Sequence, residues 1–189
     1  MIHDAMNLLR GKLNAYIKLK AGIGEEKVRF LDGTNFDPIQ FPLDFITPII
    51  VNIREERTLR QSDYYQPRIV NGLQTARTPD INIQLIVLFV SRFRQYDQGL
   101  MFLSMIIRFF QANKMIDRFA APELSEEIDR LHIEMLTMPV SEQNDIWNAL
   151  RVSYLPSVAF RVGMFTYTDN DSLTDLNEMA DIQINTNKI

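Results

Sequence analysis

The sequence predicts an α+β fold, in which three helices pack on a mostly antiparallel or mixed sheet with a long projecting hairpin. Two periodicities carry this prediction. Apolar residues recur every three or four positions in two long stretches, and at every second position in several others. These stretches come in the order helix, strand, hairpin, helix, strand, short helix, strand. The chain has 189 residues, of which 46% are hydrophobic, and this is enough for a single domain with a substantial core.

The N-terminal helix is predicted from residues 1–20, where apolar residues share one face because they are spaced by three or four positions. These residues are Ile2, Met6, Leu9, Leu13 and Ile17. The sequence AGIGEE ends the helix, and a short strand is predicted over 28–31. The loop that follows, 32–45, contains Pro38 and Pro42 together with three phenylalanines that need to be buried. Another part of the protein is therefore expected to pack over this apolar loop.

A long hairpin is predicted from two segments whose character changes along their length. The segment 48–60 begins apolar on both faces, with Ile49, Ile50 and Val51, and then becomes charged on both faces. The segment 80–90 mirrors this change, because it begins with alternating apolar and polar residues and ends wholly apolar. The base of the hairpin is therefore expected to be central in the sheet. Its charged arm is expected to project into solvent or onto a neighbour.

A central helix is predicted over 96–114, with Asp97 as its N-cap. One apolar stripe has helical spacing and is widened by further apolar neighbours. The stripe consists of Leu100, Leu103, Ile107 and Phe110, and the neighbours are Met101, Phe102, Met105 and Phe109. A helix that is apolar over most of its circumference is buried on more than one side. We therefore expect it to pack against the sheet and also against another helix or subunit.

The last third of the chain predicts a strand, a short helix and a final strand. Alternation around 131–135 has the period of a strand. Ser141 is the predicted N-cap of a short helix in which Trp147 is a core anchor. Pro156 prevents this helix from continuing, and alternating apolar residues over 158–164 form the last strand. We expect residues 1–167 to form the domain, and residues 168–189 to be an acidic polar tail that is flexible or adds to a neighbouring sheet edge.

Composition narrows the classes of function. With 20 basic and 24 acidic residues, the chain lacks the positive field that non-specific nucleic-acid binding needs. It contains no cysteine, which excludes disulfides, thiol catalysis and cysteine-bound zinc. Its apolar stretches are too short to cross a bilayer, which takes about 20 apolar residues as a helix. Its first twenty residues do not resemble a signal peptide. We therefore expect a soluble protein without a nucleic-acid partner.

A search for catalytic or metal-binding motifs finds none that is complete. The two histidines, His3 and His132, have no partner at the spacing of a metal site, and solvated side chains are the simpler interpretation. The sequence TDNDSLTD resembles the start of a calcium loop, but Thr174 and Ala180 replace the required glycine and glutamate. No glycine-rich phosphate loop or serine-nucleophile motif is present. The prediction is a non-enzyme with no catalytic residue, cofactor or metal.

Four segments together carry a resemblance to a known family. They are YDQGLMFLSMIIRFFQANKMID, ELSEEIDRLHIEML, SEQNDIWNAL and YLPSVAFRV. In this order they resemble the cap or tail-terminator family of contractile injection systems, over a region from about Asn52 to Met164. The family commonly has a glycine before the Tyr-Leu-Pro unit, where this chain has Arg151.

The resemblance implies a structural role without catalysis. Its members are expected to form a ring, most simply a hexamer, at the membrane-distal end of the particle. The ring would end growth of the inner tube and the sheath and hold the last sheath layer. The partners implied are further copies of the chain, the tube protein and the sheath protein, with no membrane insertion. Assembly is expected in the cytoplasm, within a phage-tail-like particle that is either released outside the cell or anchored to a membrane.

The interface residues are predicted from pattern alone, because a cyclic ring needs two different patches that meet between neighbours. The charged arm of the hairpin and the apolar loop are the two features that suit this need. The predicted contact residues are Phe36, Phe41, Arg54, Glu56, Arg57 and Arg60. Two alternatives stay open at this point. One is another structural adaptor of the same particle, at a tube joint or in the baseplate, and the other is a small hydrolase or ligand-binding domain whose site is assembled from scattered residues.

Overall fold

Among the described residues, the structure has three helices and seven strands. The predicted helices, the two hairpin strands and the last two long strands come in the expected order, whereas three further short strands were not predicted. The computed structural model describes residues 1–33, 39–55 and 82–166, together with the backbone of two short strands between them. The elements are α1 (Ile2–Ala21), β1 (Phe45–Glu55), β2 (Arg68–Val70), β3 (Leu73–Thr75), β4 (Asn82–Arg92), α2 (Tyr96–Ala112), β5 (Met115–Asp117), β6 (Ile128–Leu136), α3 (Val140–Leu150) and β7 (Ser157–Thr166). The α+β class is thereby confirmed.

The main sheet has five antiparallel strands in the order β1-β4-β7-β6-β5. β1 and β4 form the predicted hairpin, with Phe45 opposite Arg92 at its base and Glu55 opposite Ile83 at the far end of the ladder. β4 is internal, whereas β1 is an edge strand. β2 and β3 form a second, two-stranded sheet between them in sequence. The base of the hairpin is therefore only partly central, because β1 is the edge strand of the main sheet.

One face of the sheet packs against α1 and α2. Three phenylalanines meet where α2 crosses the sheet: the ring centroid of Phe110 lies 4.6 Å from that of Phe160 and 5.5 Å from that of Phe89. On its other side α2 meets α1, where the rings of Tyr16 and Phe109 are 5.3 Å apart. The two sets of contacts confirm that α2 is buried on two sides, and they form the larger part of the hydrophobic core.

The opposite face of the sheet packs against α3 and forms a second, smaller cluster. Leu88 and Val90 of β4 point to this face, because they alternate with the residues that point to the larger core. Trp147 of α3 is only 4% exposed and lies over them with Phe41. The prediction of Trp147 as a core anchor is confirmed, and the molecule has three layers in the order helices, sheet, helix.

Four local expectations were wrong in detail. The N-cap of α2 is Gln95 and not Asp97, because only three residues connect β4 to α2 and the helix begins before the aspartate. The N-cap of α3 is Pro139 and not Ser141. The predicted strand over 28–31 is a single parallel bridge to β1. In α2 the buried stripe is rotated relative to the prediction, so that Leu100 and Met101 are exposed; the buried residues are Gly99, Phe102, Leu103, Ile106, Phe109 and Phe110.

Arg151 stands at the C-cap of α3 in the left-handed conformation, with φ 55° and ψ 36°. This conformation is strained for any residue with a Cβ and is unstrained for glycine. The geometry gives a physical reason for a glycine at this position, where the family resemblance places one.

Arg151→Gly is expected to raise the free energy of unfolding by up to about 1 kcal/mol, because it removes the left-handed strain. Arg151→Ala is the matched control, since it removes the same side chain and keeps the Cβ. The measurement is urea denaturation followed by circular dichroism. Equal effects of the two substitutions would contradict the strain at this cap.

Candidate functional site

The predicted interface residues divide into three groups in the structure. Phe36, Glu56, Arg57 and Arg60 lie outside the described residues, and their role in the interface stays a prediction. Arg54 lies near the end of β1 and is exposed, opposite Gln84 of β4. Phe41 lies inside the molecule. Of the predicted contact residues that the structure describes, only Arg54 therefore lies at the surface.

Phe41 packs in the smaller cluster and is 2% exposed. Its ring meets that of Trp147 edge to face, with the centroids 6.2 Å apart, and its carbonyl oxygen accepts a hydrogen bond from the Arg92 guanidinium. Within the described part of the apolar loop, α3 thus packs over Phe41. A direct contact between the Phe41 ring and another subunit is not expected in this conformation, because the ring is already enclosed.

The face of the sheet that carries α3 is only partly covered. Beyond Ala159 of β7 and the residue that pairs with it on β6, the side chains on this face of the two strands are mostly polar and charged instead of apolar. Arg161 donates to Glu134 across the two strands at 3.2 Å, and the guanidinium of Arg130 lies 4.8 Å from the ring centroid of Phe165. Exposed pairs of this kind contribute little to stability. Among the described residues, this part of the sheet therefore presents polar and charged side chains on its surface.

Two apolar patches on the helical layer are exposed at opposite ends of α2. The first consists of Tyr96, Leu100 and Met101 at its N-terminal end. The second lies beyond its C-terminal end, where Phe119 is 98% exposed and Leu19 of α1 is 79% exposed. A groove of about 300 Å³ lies beside Leu19, and its other lining residues are Lys12, Ala15, Tyr16, Phe109, Asn113, Ile116 and Ala120. Exposed apolar side chains at both ends of one layer are typical of contact surfaces between proteins.

The apolar periodicity of the sequence does not predict this second patch. The exposure of Leu19 can be inferred from the sequence, because Leu19 falls outside the three- and four-residue spacing that places Leu13 and Ile17 on the buried face of α1. The exposure of Phe119 cannot be inferred in this way, since Phe119 lies in a connection between β5 and β6 that has no periodicity. Only the packing around a loop residue decides whether it is buried or exposed.

A second groove, of about 490 Å³, runs along α1 and contains two carboxylates, Asp4 and Glu123. The pKa of Asp4 is lowered, chiefly by its hydrogen bond with the amino group of Met1. The pKa of Glu123 is lowered first by a hydrogen bond from its own backbone amide and then by Lys12, whose Nζ lies 3.1 Å away. Both carboxylates are therefore held in the ionised form. A hydrolytic general acid needs the opposite shift, a raised pKa.

Within the described residues, no three histidine, aspartate or glutamate side chains lie close enough together to hold a metal ion. Across the same parts of the chain, none of the helices has the length and apolar character that would allow it to span a bilayer.

A protein-family model matches most of the chain. Residues 4–175 match the model of the Pvc16 N-terminal domain. The chain belongs to this family. The match extends beyond the last strand of the sheet, which ends at Thr166. No curated protein matches the sequence.

Two solved structures share the fold of this member of the Pvc16 N-terminal domain family. One is the sheath/tube terminator of PVC, an extracellular contractile injection system, in its extended state; it is 15% identical with a TM-score of 0.59, and the match covers 89% of this chain and 57% of the other. The second is the cap of the anti-feeding prophage, a tube-terminating cap; it is also 15% identical, with a TM-score of 0.56 and coverage of 88% and 55%. The chain thus spans somewhat more than half the length of these structures.

Proposed function

We propose that the chain is a structural terminator subunit of a contractile injection particle. In this role it forms a ring on the membrane-distal end of the inner tube and sheath, ends their growth and holds the last sheath layer. The observation that carries the proposal is the family match over residues 4–175, since its domain is the N-terminal part of Pvc16. The similarity in fold to a sheath/tube terminator and to a tube-terminating cap supports it.

The surfaces of the molecule are consistent with a ring. In a closed ring each copy presents one patch to the next copy and a different patch to the previous one. The described chain has apolar patches at opposite ends of α2, around Tyr96 and around Phe119. α2 has 17 residues and is therefore about 25 Å long, so the two patches lie on different sides of the molecule. We propose a hexamer, as the family resemblance implies, with assembly in the cytoplasm.

The proposal assigns no reaction to the chain. The two carboxylates that share a groove, Asp4 and Glu123, are exposed and have lowered pKa values, as ion-paired surface groups do. A terminator needs recognition surfaces and not a reactive pocket. Its work is to match the end of the tube while offering no surface on which the next tube layer can add.

Removal of the chain from particle assembly is expected to give particles of uncontrolled length or with loose sheath ends. Electron microscopy of particles from a deletion strain measures both, and complementation with the intact chain is the control. Particles of normal length and firm ends in the deletion strain would contradict the terminator role. The same images, with the chain labelled in a complemented strain, distinguish a terminator at the membrane-distal end from an adaptor at a tube joint or in the baseplate.

A further inference from the structure

The N-terminal end of α2 carries an exposed ridge that is apolar except for one acid. Tyr96 is 67% exposed, Leu100 is 40% exposed and Met101 is 43% exposed. Leu100 follows Tyr96 by four positions, and Met101 follows Asp97 by four, so the four side chains share one side of the helix. Two other sides of α2 are already buried, against the sheet and against α1. The ridge is thus a third apolar side of α2, of the kind found at contacts between proteins.

The groove beside Leu19 has a shape that complements this ridge. It has a volume of about 300 Å³; α1 forms one wall from Lys12 to Leu19, and the C-terminal end of α2 with Phe109 forms the other. Along α1 the wall is about 11 Å long, whereas the ridge from Tyr96 to Met101 is about 8 Å long. The groove is therefore long enough to take the ridge of another molecule, in the way that apolar grooves bind one side of a helix.

The charges at the groove and on the ridge are opposite in sign. Lys20 lies one turn beyond Tyr16 of the first wall, and Lys114 directly follows Asn113 of the second. Both lysines are exposed, and neither forms an ion pair with another described residue. Asp97 of the ridge is likewise exposed and has no ion pair within the described parts of the chain. One acid on the ridge thus meets two available cations at the groove.

The other charges around the groove balance one another. The Nζ atom of Lys12 lies 3.1 Å from a carboxylate oxygen of Glu123, and that of Lys18 lies 3.9 Å from one of Glu26. Residues 117–118, which follow the end of the groove, contribute one charge of each sign. The surplus positive charge at the groove is therefore that of the two lysines without an ion pair.

We infer that the α2 ridge of one copy binds in the groove between α1 and α2 of the next copy. This inference rests on the ring proposed above. α2 is one continuous helix, and Leu100 lies about 14 Å from Phe109 along it, so the ridge cannot enter the groove of its own chain. Because the ridge and the groove are different surfaces, each copy binds one neighbour with each of them, as a closed ring needs.

Introduced cysteines test the contact directly, because the chain has no cysteine of its own. Chains carrying Met101→Cys are assembled together with chains of a different mass that carry Leu19→Cys, and a short bifunctional thiol reagent is added. The inference predicts a cross-linked product that contains one chain of each kind. Val140→Cys replaces Met101→Cys in the matched control, since Val140 is 72% exposed but lies on α3, across the sheet, and no product is expected there. Absence of the mixed product, or a product that joins only chains of the same kind, overturns the inference.

Reversal of charge gives an independent measurement. Asp97→Lys alone, and Lys20→Glu combined with Lys114→Glu, are each expected to raise the concentration at which rings dissociate at least about threefold, because like charges then meet at every junction. The three substitutions together are expected to recover most of this loss. Light scattering measures dissociation, and circular dichroism controls for folding. Asp145→Lys, at an exposed position of α3, makes the same change of charge as Asp97→Lys and is expected to have no effect. Failure of the three substitutions to recover stability would contradict the contact.

Labelling of Leu19→Cys by a thiol reagent identifies the occupant of the groove. The inference predicts slower labelling in the ring than in the dissociated chain. A groove that stays reactive in the ring and becomes protected only when tube or sheath protein binds would overturn the inference and leave the terminator role intact. Rings that give the mixed cross-link and bind neither tube nor sheath protein would refute the terminator role alone. Chains that stay monomeric, with and without tube protein, would overturn the ring and this contact together.

Discussion

Trp147→Ala is expected to lower the free energy of unfolding by about 3–5 kcal/mol. The indole is 4% exposed and is the largest side chain of the cluster between α3 and the sheet. Its ring contacts those of Phe41 and Tyr154, with centroids 6.2 and 5.7 Å away. Truncation would leave a cavity that α3 cannot fill, because α3 has no other buried residue. A loss of this size is a large share of the 5–15 kcal/mol that is typical of a folded domain.

The measurement is urea denaturation followed by circular dichroism, since Trp147 is the only tryptophan and its fluorescence is lost with it. Two controls separate cavity formation from other effects. Trp147→Phe keeps an aromatic ring, and the indole nitrogen has no hydrogen-bond partner among the described residues, so a smaller loss of roughly 1–2 kcal/mol is expected. Tyr154→Ala removes an exposed ring from the same contact and is expected to cost about 1 kcal/mol or less. A cost of Trp147→Ala no larger than that of Tyr154→Ala would mean that α3 does not depend on this anchor.

Asn14→Leu is expected to cost about 3 kcal/mol or more, because two buried backbone groups and one partly buried backbone group lose their partner together. Asn14 is 3% exposed on α1. Its Oδ1 accepts from the amides of Lys27 and Val28, at 3.0 and 2.8 Å, and its Nδ2 donates to the Val28 carbonyl oxygen at 2.9 Å. These bonds hold the segment that pairs with Ile46 at the base of β1. One side chain therefore joins α1 to the edge of the sheet.

Asn7→Leu is the matched control for this substitution, because Asn7 lies on the same helix and its side-chain hydrogen bond to His3 is exposed. It is expected to change the free energy of unfolding by no more than about 0.5 kcal/mol. Hydrogen exchange gives a local readout: in the Asn14 variant the amides of Lys27, Val28 and Ile46 should exchange faster than the rest of the sheet. Unchanged protection at these three amides would show that the segment is held without Asn14.

The two substitutions also bear on assembly. Asn14 holds the segment that covers the base of β1, which is the edge strand of the main sheet. Weakening that segment would expose more of the β1 edge and favour pairing in the wrong register. Asn14→Leu is thus expected to promote aggregation beyond its effect on stability, whereas Trp147→Ala acts on the opposite side of the sheet.

The sequence by itself determined the α+β class, the order of the helices and long strands, and the identity of the central helix and the core tryptophan. Periodicity is a local property, and the spacing of apolar residues is enough to distinguish a helix from a strand. The arrangement of four segments also indicated the family, since together they are more specific than any one of them. The positions at which the helices begin were not predicted correctly from the sequence. Asp97 and Ser141 have the side chains of N-caps, but the short connections before α2 and α3 place both of them inside the helix.

Only the tertiary structure decided which surfaces remain open. Phe41 and Phe119 are identical side chains in loops, yet the first is enclosed by α3 and the second is 98% exposed. No local pattern distinguishes them, because burial of a loop residue depends on what packs over it from distant parts of the chain. The same holds for β1, whose sequence is apolar enough for a central strand but which lies at the edge of the sheet. Strand order is set by long-range pairing, and it is this order that places β1 at the edge of the main sheet.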